Sequence, residues 1–155
     1  MIYLDHAATT PMAEQVAASM QPYFAKNYGN ASTIYEFGEK SRQAVEHART
    51  VIAHSLHARP NEIYFTGGGS ESDNWALKGT AGAYRAKGRH IITTQIEHHA
   101  VLHTCKYLEE QGYEITYLPV DTQGFVNLQQ LEASIRPETI LISIMFANNE
   151  IGTME

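Results

Sequence analysis

The chain has little cysteine, little basic charge and no long apolar run, and each shortage excludes a class of protein. Its single cysteine, Cys105, cannot form an internal disulfide framework, which agrees with a reducing cytoplasm. The formal net charge is −6 at pH 7 without a basic stripe, so nucleic acid is not expected as the main partner. No apolar run approaches the length of a membrane-spanning helix, and residues 1–6 lack the basic and then apolar order of a signal peptide.

The remaining composition is that of a soluble globular protein, with 43% hydrophobic and 18% charged residues among 155. Strand-like and helix-like segments alternate, without an internal repeat or a flexible linker. The pattern predicts helices at 11–27 (with Thr10 as N-cap), 37–56, 70–87, 98–111 and 128–135, and strands at 62–66, 90–94, 114–118 and 140–146. Residues 91–94 and 140–144 are almost all apolar or β-branched, as in strands that are covered on both faces. An α/β fold with a largely parallel sheet is therefore predicted.

A glycine-rich loop, TGGGSESDN at residues 66–74, is the most informative local motif. Three successive glycines leave their backbone amides unshielded, and Ser70 is predicted to open the following helix, with Ser70 and Asp73 in a helix-start pattern. The amides and the positive helix end would then point to one place, which predicts a phosphate site. The motif has neither the lysine of a Walker loop nor the spacing of a dinucleotide fingerprint. A tight glycine turn without a ligand is the equal alternative.

Two further polar segments, residues 95–99 and 147–152, each follow a predicted strand. Because ligands of such sheets bind beyond the carboxyl ends of the strands, we expect these segments and the glycine loop to gather at one edge. His99 and His103 stand four residues apart on a predicted helix, which resembles a metal-binding pair. A solvated helix face explains them better, and no metal site is predicted. Cys105 is expected to pack as a small apolar residue.

Five motifs together resemble the cysteine desulfurases, which belong to the class V aminotransferase group of pyridoxal-phosphate enzymes. They are YLDHAATTP at residues 3–11, YGN at 28–30, FTGGGSESDN at 65–74, EHHAV at 97–101 and NNEIG at 148–152. The motifs occur in order along almost the whole chain. The resemblance implies part of the large domain of a fold-type I pyridoxal-phosphate-dependent transferase, as an incomplete three-layer α/β sandwich.

The resemblance also implies which residues hold the cofactor, pyridoxal 5′-phosphate. Gly69 and Ser70 would hold its phosphate, with Ser70 where threonine is more usual. His98 would lie over the pyridine ring and move protons as the catalytic residue. Asn149 would contact the phenolic oxygen of the cofactor and lie close to the substrate. From the residues alone, Asn149 could equally bond to the backbone in a turn, although Asn148 fits that role better.

On the substrate side, the resemblance implies that Asn30 and Ala8, with their neighbouring residues, approach the amino acid. The family usually has proline directly after this asparagine and histidine five positions after it. Ala31 and Tyr35 stand at those two positions. The departure concerns the substrate side of the site and leaves the cofactor motifs unaffected.

The family's cofactor-binding lysine, its aspartate partner for the pyridine nitrogen and its persulfide-forming cysteine have no counterpart among the 155 residues. We therefore expect the chain to be the N-terminal part of such an enzyme and to be inactive alone. Residues 1–15 are predicted to pack on an absent smaller C-terminal domain, and residues 16–155 to belong to the cofactor-binding large domain.

The complete enzyme is expected to remove sulfur from L-cysteine, to give L-alanine and an enzyme-bound persulfide. The resemblance implies a cytoplasmic homodimer that passes sulfur to an acceptor protein such as an iron–sulfur scaffold, with no membrane or nucleic acid partner. Two alternatives stay open. One is another class V enzyme, a selenocysteine lyase or an aminotransferase; the other, for the isolated chain, is a non-catalytic association module.

Overall fold

The computed structural model describes residues 2–155. By their internal contacts these residues divide into two compact units, one ending at Phe65 and the other beginning at Thr66. The boundary predicted between residues 15 and 16 falls inside the first helix of the chain and stays a prediction about the complete protein. The two units are described separately below.

The first unit consists of helices. They are α1 (Glu14–Ala25), α2 (Glu39–Ser55) and two single-turn 3₁₀ helices at Glu36–Gly38 and Pro60–Glu62. The predicted N-cap at Thr10 is wrong, because the Thr10 hydroxyl donates to the carbonyl oxygen of His6 at 3.0 Å and the helix starts later, with Ala13 as N-cap. The strand predicted at 62–66 is also wrong: Glu62 closes a 3₁₀ turn, and no described strand pairs with the extended segment after it.

The second unit is an α/β structure, as predicted. Its elements in chain order are α3 (Gly69–Tyr84), β1 (His90–Thr94), α4 (His99–Glu110), β2 (Glu114–Leu118), α5 (Leu128–Ser134) and β3 (Thr139–Ile142). The sheet has the order β2-β1-β3, and both pairs are parallel. The predicted bounds of β1 and β2 are confirmed. The third strand is shorter than predicted, because the backbone N–H of Met145 donates to a carboxylate and not to a neighbouring strand.

The core of this unit forms where α3 and α4 cover one face of the sheet. Every residue of β1 is buried, as expected for a central strand with apolar and β-branched side chains. The cluster comprises Leu77, Ala81, Ile91, Val101, Cys105, Leu108 and Tyr113. The Tyr113 hydroxyl donates to the carbonyl oxygen of Ala81 at 2.7 Å, so this ring satisfies its polar atom inside the core.

His90 is the buried polar side chain of β1 that ties all three strands together. Its Nδ1 lies 2.7 Å from the hydroxyl of Thr139 on β3, and its Nε2 lies 2.8 Å from the hydroxyl of Thr116 on β2. Burial lowers the pKa of this imidazole below its ordinary value of 6.5, and the positive charge of Arg136 acts in the same direction. The neutral ring is therefore the form that the fold favours.

Candidate functional site

The glycine loop presents three backbone amides that bond to nothing else in residues 2–155. They belong to Gly68, Gly69 and Ser70, and the hydroxyl of Ser70 likewise has no hydrogen-bond partner within these residues. The helix predicted to open at Ser70 begins one residue earlier, at Gly69. Gly68 is the N-cap and Ser70 is the second residue of α3, so its hydroxyl remains available to a ligand.

The shape of the loop is fixed by its neighbours and not by Ser70. The Glu71 carboxylate accepts a hydrogen bond from the backbone N–H of Gly67 at 2.6 Å. The hydroxyls of Thr66 and Ser72 lie 2.7 Å apart and close the bend from the other side. The carboxylate also lies in the first turn of α3, where the helix dipole favours a negative charge.

Neither backbone strain nor packing explains the glycines at positions 68 and 69. Gly68 has φ 164°, which is extended backbone open to any residue. A Cβ built at Gly68 or Gly69 would meet nothing within 4 Å. The space in front of the free amides is therefore open. A group that approached these amides closely would need the absence of side chains there.

An open cleft of about 370 Å³ lies beside this loop, between the starts of α3 and α4. Its lining residues are Ser70, Asn74, His98, His99, Ala100, His103 and Thr104. The cleft brings together Ser70 and His98, two of the residues predicted to hold the cofactor. The Asn74 amide donates to the carbonyl oxygen of Ser70 at 2.9 Å and so braces the first turn of α3.

His98 is the N-cap of α4, and its Nδ1 accepts a hydrogen bond from the backbone N–H of Ala100 at 3.0 Å. A neutral imidazole that accepts through Nδ1 carries its proton on Nε2. The capping bond therefore sets the tautomer and restrains the ring, while Nε2 is free to meet a ligand. The structural and the functional explanation of His98 are compatible, since each uses a different nitrogen.

A buried carboxylate, Glu97, joins the two polar segments that follow β1 and β3. Its Oε1 accepts from the Thr94 hydroxyl at 2.9 Å and from the backbone N–H of Met145 at 2.8 Å. The Asn148 amide adds a third link by donating to the carbonyl oxygen of Ile96 at 2.9 Å. The predicted gathering of these segments at the carboxyl edge of the sheet is confirmed. Their link was missed because nothing in the sequence shows that Glu97 is buried.

The two asparagines in the turn at residues 148–152 have different roles. Asn148 is buried, and its Oδ1 accepts from the backbone N–H groups of Glu150 and Ile151 at 2.8 and 3.0 Å. This is the turn role expected of Asn148. Asn149 is exposed, and within residues 2–155 its amide has one hydrogen bond, which it donates to the Glu150 carboxylate at 3.4 Å. Asn149 does not line the cleft between Ser70 and His98.

The predicted substrate residues Asn30 and Ala8 lie in the first unit, and both are exposed. Asn30 Oδ1 accepts from the backbone N–H of Ser32 at 2.9 Å, which makes an asparagine turn. Gly29 beside it has a packing reason, because a Cβ there would collide with the carbonyl oxygen of Phe37. The structure therefore accounts for the shape of the backbone around Asn30 and leaves the role of Asn30 at the substrate as a prediction.

The cysteine is placed as expected. Cys105 is fully buried in the core of the second unit, and burial, with the charges of Glu109 and Glu97, raises the pKa of its thiol from 9.0 to about 11. A thiol of this kind is a poor nucleophile at neutral pH, because the thiolate is the reactive form. Cys105 is therefore a structural residue in this unit.

The aminotransferase class-V family model matches residues 2–155. The chain belongs to this family. It is 59% identical over 154 residues to a cysteine desulfurase IscS of Methanosarcina thermophila and 54% identical over 154 residues to one of Clostridium botulinum. These matches cover 99% of the chain and 38% and 39% of the two relatives, so the chain spans about two fifths of their length.

Two similar solved structures have the same fold. A NifS-like protein superposes with a TM-score of 0.95 at 42% identity, over 99% of this chain and 42% of that one. A structure described as SspA in complex with cysteine gives a TM-score of 0.93 at 45% identity, over 98% and 44% of the two chains. The parallel sheet and the expected fold-type I architecture are thereby confirmed for this part of the fold.

Proposed function

We propose that the chain forms the N-terminal part of a pyridoxal-phosphate-dependent cysteine desulfurase and supplies the phosphate-binding side of its active site. The observation that carries the proposal is the group of three unbonded amides and one free hydroxyl, at Gly68, Gly69 and Ser70, which opens next to the cleft with His98. Support also comes from relatives named as cysteine desulfurases and from a similar structure that contains cysteine.

The donors of this loop fit a phosphate dianion. Backbone amides at the start of α3 point away from the helix, where its dipole favours negative charge. The Ser70 hydroxyl adds a further donor, and Glu71 does not compete because its carboxylate is already bonded to Gly67 N–H. The open space before Gly68 and Gly69 lets phosphate oxygens approach the amides closely.

His98 fits the aromatic part of the same cofactor. A flat imidazole can stack on a pyridine ring, and its free Nε2 can hold or move a proton. When bound, pyridoxal phosphate supplies the electron sink that stabilises negative charge at the α-carbon of an amino acid. In the proposed enzyme, His98 covers the ring and exchanges a proton through Nε2, while its capping bond at Nδ1 keeps the ring in place.

The remaining site residues are proposed by position in the family motifs. Asn149 would contact the phenolic oxygen of the cofactor and the substrate. Its exposed side chain is not used by the turn, which Asn148 alone forms, so it is available for this role. Asn30 and Ala8 are proposed to contact the L-cysteine substrate, and both are exposed.

We also propose a homodimer that passes sulfur to an acceptor protein such as an iron–sulfur scaffold, in the cytoplasm. Among residues 2–155 none of the helices has both the length and the apolar character needed to cross a bilayer. The buried thiol of Cys105 suits a reducing compartment, where an unpaired cysteine persists.

A chimaera tests the proposal without assuming what adjoins this chain. The chain replaces the corresponding two fifths of the Methanosarcina thermophila relative, to which it is 59% identical. Pyridoxal phosphate retained after dialysis is measured by its visible absorbance. Alanine and sulfide are measured after addition of L-cysteine and an excess of a dithiol reductant, which reduces the enzyme persulfide to the thiol and releases its outer sulfur as sulfide. We expect cofactor retention and both products in equal amounts. If alanine formed only from selenocysteine, or if transamination occurred without release of sulfide, the result would contradict a desulfurase and favour another class V enzyme.

Ser70→Ala in the same chimaera tests the phosphate site itself. A hydrogen bond to a charged group contributes about 1.5–3 kcal/mol, so we expect cofactor affinity to fall by about tenfold or more. Ser134→Ala is the matched control, because its hydroxyl donates to the carbonyl oxygen of Gln130 on α5, outside the cleft. Equal cofactor affinity in Ser70→Ala and Ser134→Ala would contradict the assignment.

A further inference from the structure

We propose that His99 and His103 form a chelating site for a divalent transition-metal ion, such as Zn²⁺ or Ni²⁺, on the exposed side of α4. The two residues stand one helical turn apart, so their side chains project from the same face. Both are exposed and both line the cleft beside Ser70. The two histidines share this cleft with Ser70 and His98 but are not among the residues proposed to hold the cofactor, and the inference does not depend on the proposed function.

The spacing of the two rings suits a shared ion. Their centroids lie 5.3 Å apart with an interplanar angle of 25°. In a tetrahedral site each nitrogen lies about 2.1 Å from the metal and each ring centre about 1.2 Å further away, which places two ring centres about 5.4 Å apart. The rings therefore already have the separation of a chelating pair. Rotation about the last side-chain torsion, which is broad for histidine, can direct the nitrogens to the ion.

The nitrogens of this pair are also free, unlike those of two other histidines of the same unit. Within residues 2–155, neither His99 nor His103 has a hydrogen bond or an ion pair, and their rings contact only other histidine rings. In contrast, both nitrogens of His90 are engaged by threonine hydroxyls, and Nδ1 of His98 caps α4. No binding partner has to be displaced before a metal can bind.

The ligand set also decides which ions fit. In the described part of the chain no group of three or more histidine, cysteine or acidic side chains could hold a metal, so the protein supplies two ligands and water completes the shell. Neutral imidazole suits Zn²⁺, Ni²⁺ and Cu²⁺, whereas Mg²⁺ and Ca²⁺ prefer oxygen ligands. The site is therefore expected to be selective for late transition metals and to keep open coordination positions toward the cleft.

Calorimetric titration of the purified protein with ZnCl₂, and with MgCl₂ as a comparison, tests the site. We expect Zn²⁺ binding that His99→Gln and His103→Gln each weaken by at least about tenfold, and no binding of Mg²⁺. His47→Gln is the matched control, because His47 is an exposed histidine on α2, and it should leave the binding unchanged. Glutamine is tolerated in helices at least as well as histidine, and circular dichroism checks that each variant is folded.

A second measurement uses the unmodified protein and so does not depend on the variants. Paramagnetic Ni²⁺ should broaden the amide resonances of residues 99 and 103 and of their neighbours in the cleft before any others. Broadening centred on other histidines would overturn the proposal. Zn²⁺ affinity that stays the same in both His99→Gln and His103→Gln, or the absence of any Zn²⁺ binding, would do so as well.

Discussion

The two units of this chain differ in how completely each buries its own apolar side chains. Residues 66–155 bury a central strand and the facing sides of two helices, including Ile91, Ile92 and Cys105, each at 0% exposure. In residues 2–65 only Ala53, Gly29 and Gly38 are buried, and α1 has no buried residue at all. The sequence of α1 nevertheless contains large apolar side chains, namely Val16, Met20, Tyr23 and Phe24, and all are exposed.

The difference shows which part of the fold is specified by local interactions. In the second unit the strands are restrained by sheet hydrogen bonds, by the core and by the hydrogen bonds of Glu97. The loops that follow the strands at the sheet edge therefore have few alternative conformations. In the first unit, helices form from local propensity and turn chemistry without a core of comparable size. The candidate phosphate site lies on the well-packed unit, which is where a precise arrangement of donors can be maintained.

The largest expected contrast between the units comes from truncating one isoleucine in each. Ile92→Ala removes a fully buried side chain of β1 and should lower the free energy of unfolding by about 2–5 kcal/mol. Ile52→Ala on α2 removes a side chain that is 38% exposed and should cost about 1 kcal/mol. Urea unfolding followed by circular dichroism measures both. Similar losses for the two variants would show that the first unit has a core of comparable strength.

Removal of the Glu97 carboxylate should have the next largest effect. Glu97→Ala leaves the Thr94 hydroxyl and the Met145 N–H without their acceptor, which should cost about 2–3 kcal/mol. Hydrogen exchange should also speed up at the amide of Met145 while the amides of α1 keep their rates. Glu46→Ala on exposed α2 is the control and should change neither quantity. Unchanged exchange at Met145 would mean that Glu97 does not hold the two segments together.

His90 should give the second unit a pH dependence of its own. Burial lowers the pKa of the imidazole in the folded state below 6.5. As the pH falls below about 6.5, the unfolded chain therefore binds more protons than the folded chain does. The stability from neutral His90 is therefore complete above that pH and is lost as the pH falls through the lowered pKa. His90→Gln keeps a polar side chain without titrating, so it should show a smaller loss between pH 7.5 and 5 in urea unfolding. Equal losses would exclude this cause.

The smallest expected effect concerns thiol labelling. With a pKa of about 11, up from 9.0, Cys105 has about a hundredfold less thiolate at pH 8 than an ordinary thiol, and burial slows its reaction further. Met20→Cys, introduced into exposed α1, should react at the rate of a free thiol. The time course with a thiol reagent should therefore show one fast site in Met20→Cys and one slow site common to both proteins. Fast labelling of unmodified protein would contradict the buried assignment.

The elements of the well-packed second unit were easier to predict from the sequence than those of the first unit. The strands at 90–94 and 114–118 were correctly bounded because their β-branched and apolar residues pair with each other along their whole length, and the strand at 90–94 also pairs with β3. Residues 62–66 have similar composition, yet a strand requires a neighbouring strand, and none pairs with them in the described chain. Thr10 was predicted as a helix cap and Ser70 as the start of a helix. The Thr10 hydroxyl bonds to His6, and Gly68 takes the cap position before Ser70.

The candidate site was predictable in its chemistry and less so in its geometry. The three successive glycines predicted an anion loop, and the rule for strand ends predicted that residues 95–99 lie near it. The family resemblance assigned His98 to the cofactor, and the cleft brings Ser70 and His98 together. Sequence could not reveal that Glu97 is buried, since carboxylates usually face solvent, nor that Asn149 lies outside this cleft. Both depend on contacts between segments about fifty residues apart.

A crystal structure of the chimaera with pyridoxal phosphate is the most direct test of the central claim. We expect phosphate oxygens within hydrogen-bond distance of the Gly69 and Ser70 amides and of the Ser70 hydroxyl, with the His98 ring over the pyridine. A cofactor bound with its phosphate away from this loop, or with another side chain over its ring, would contradict the account.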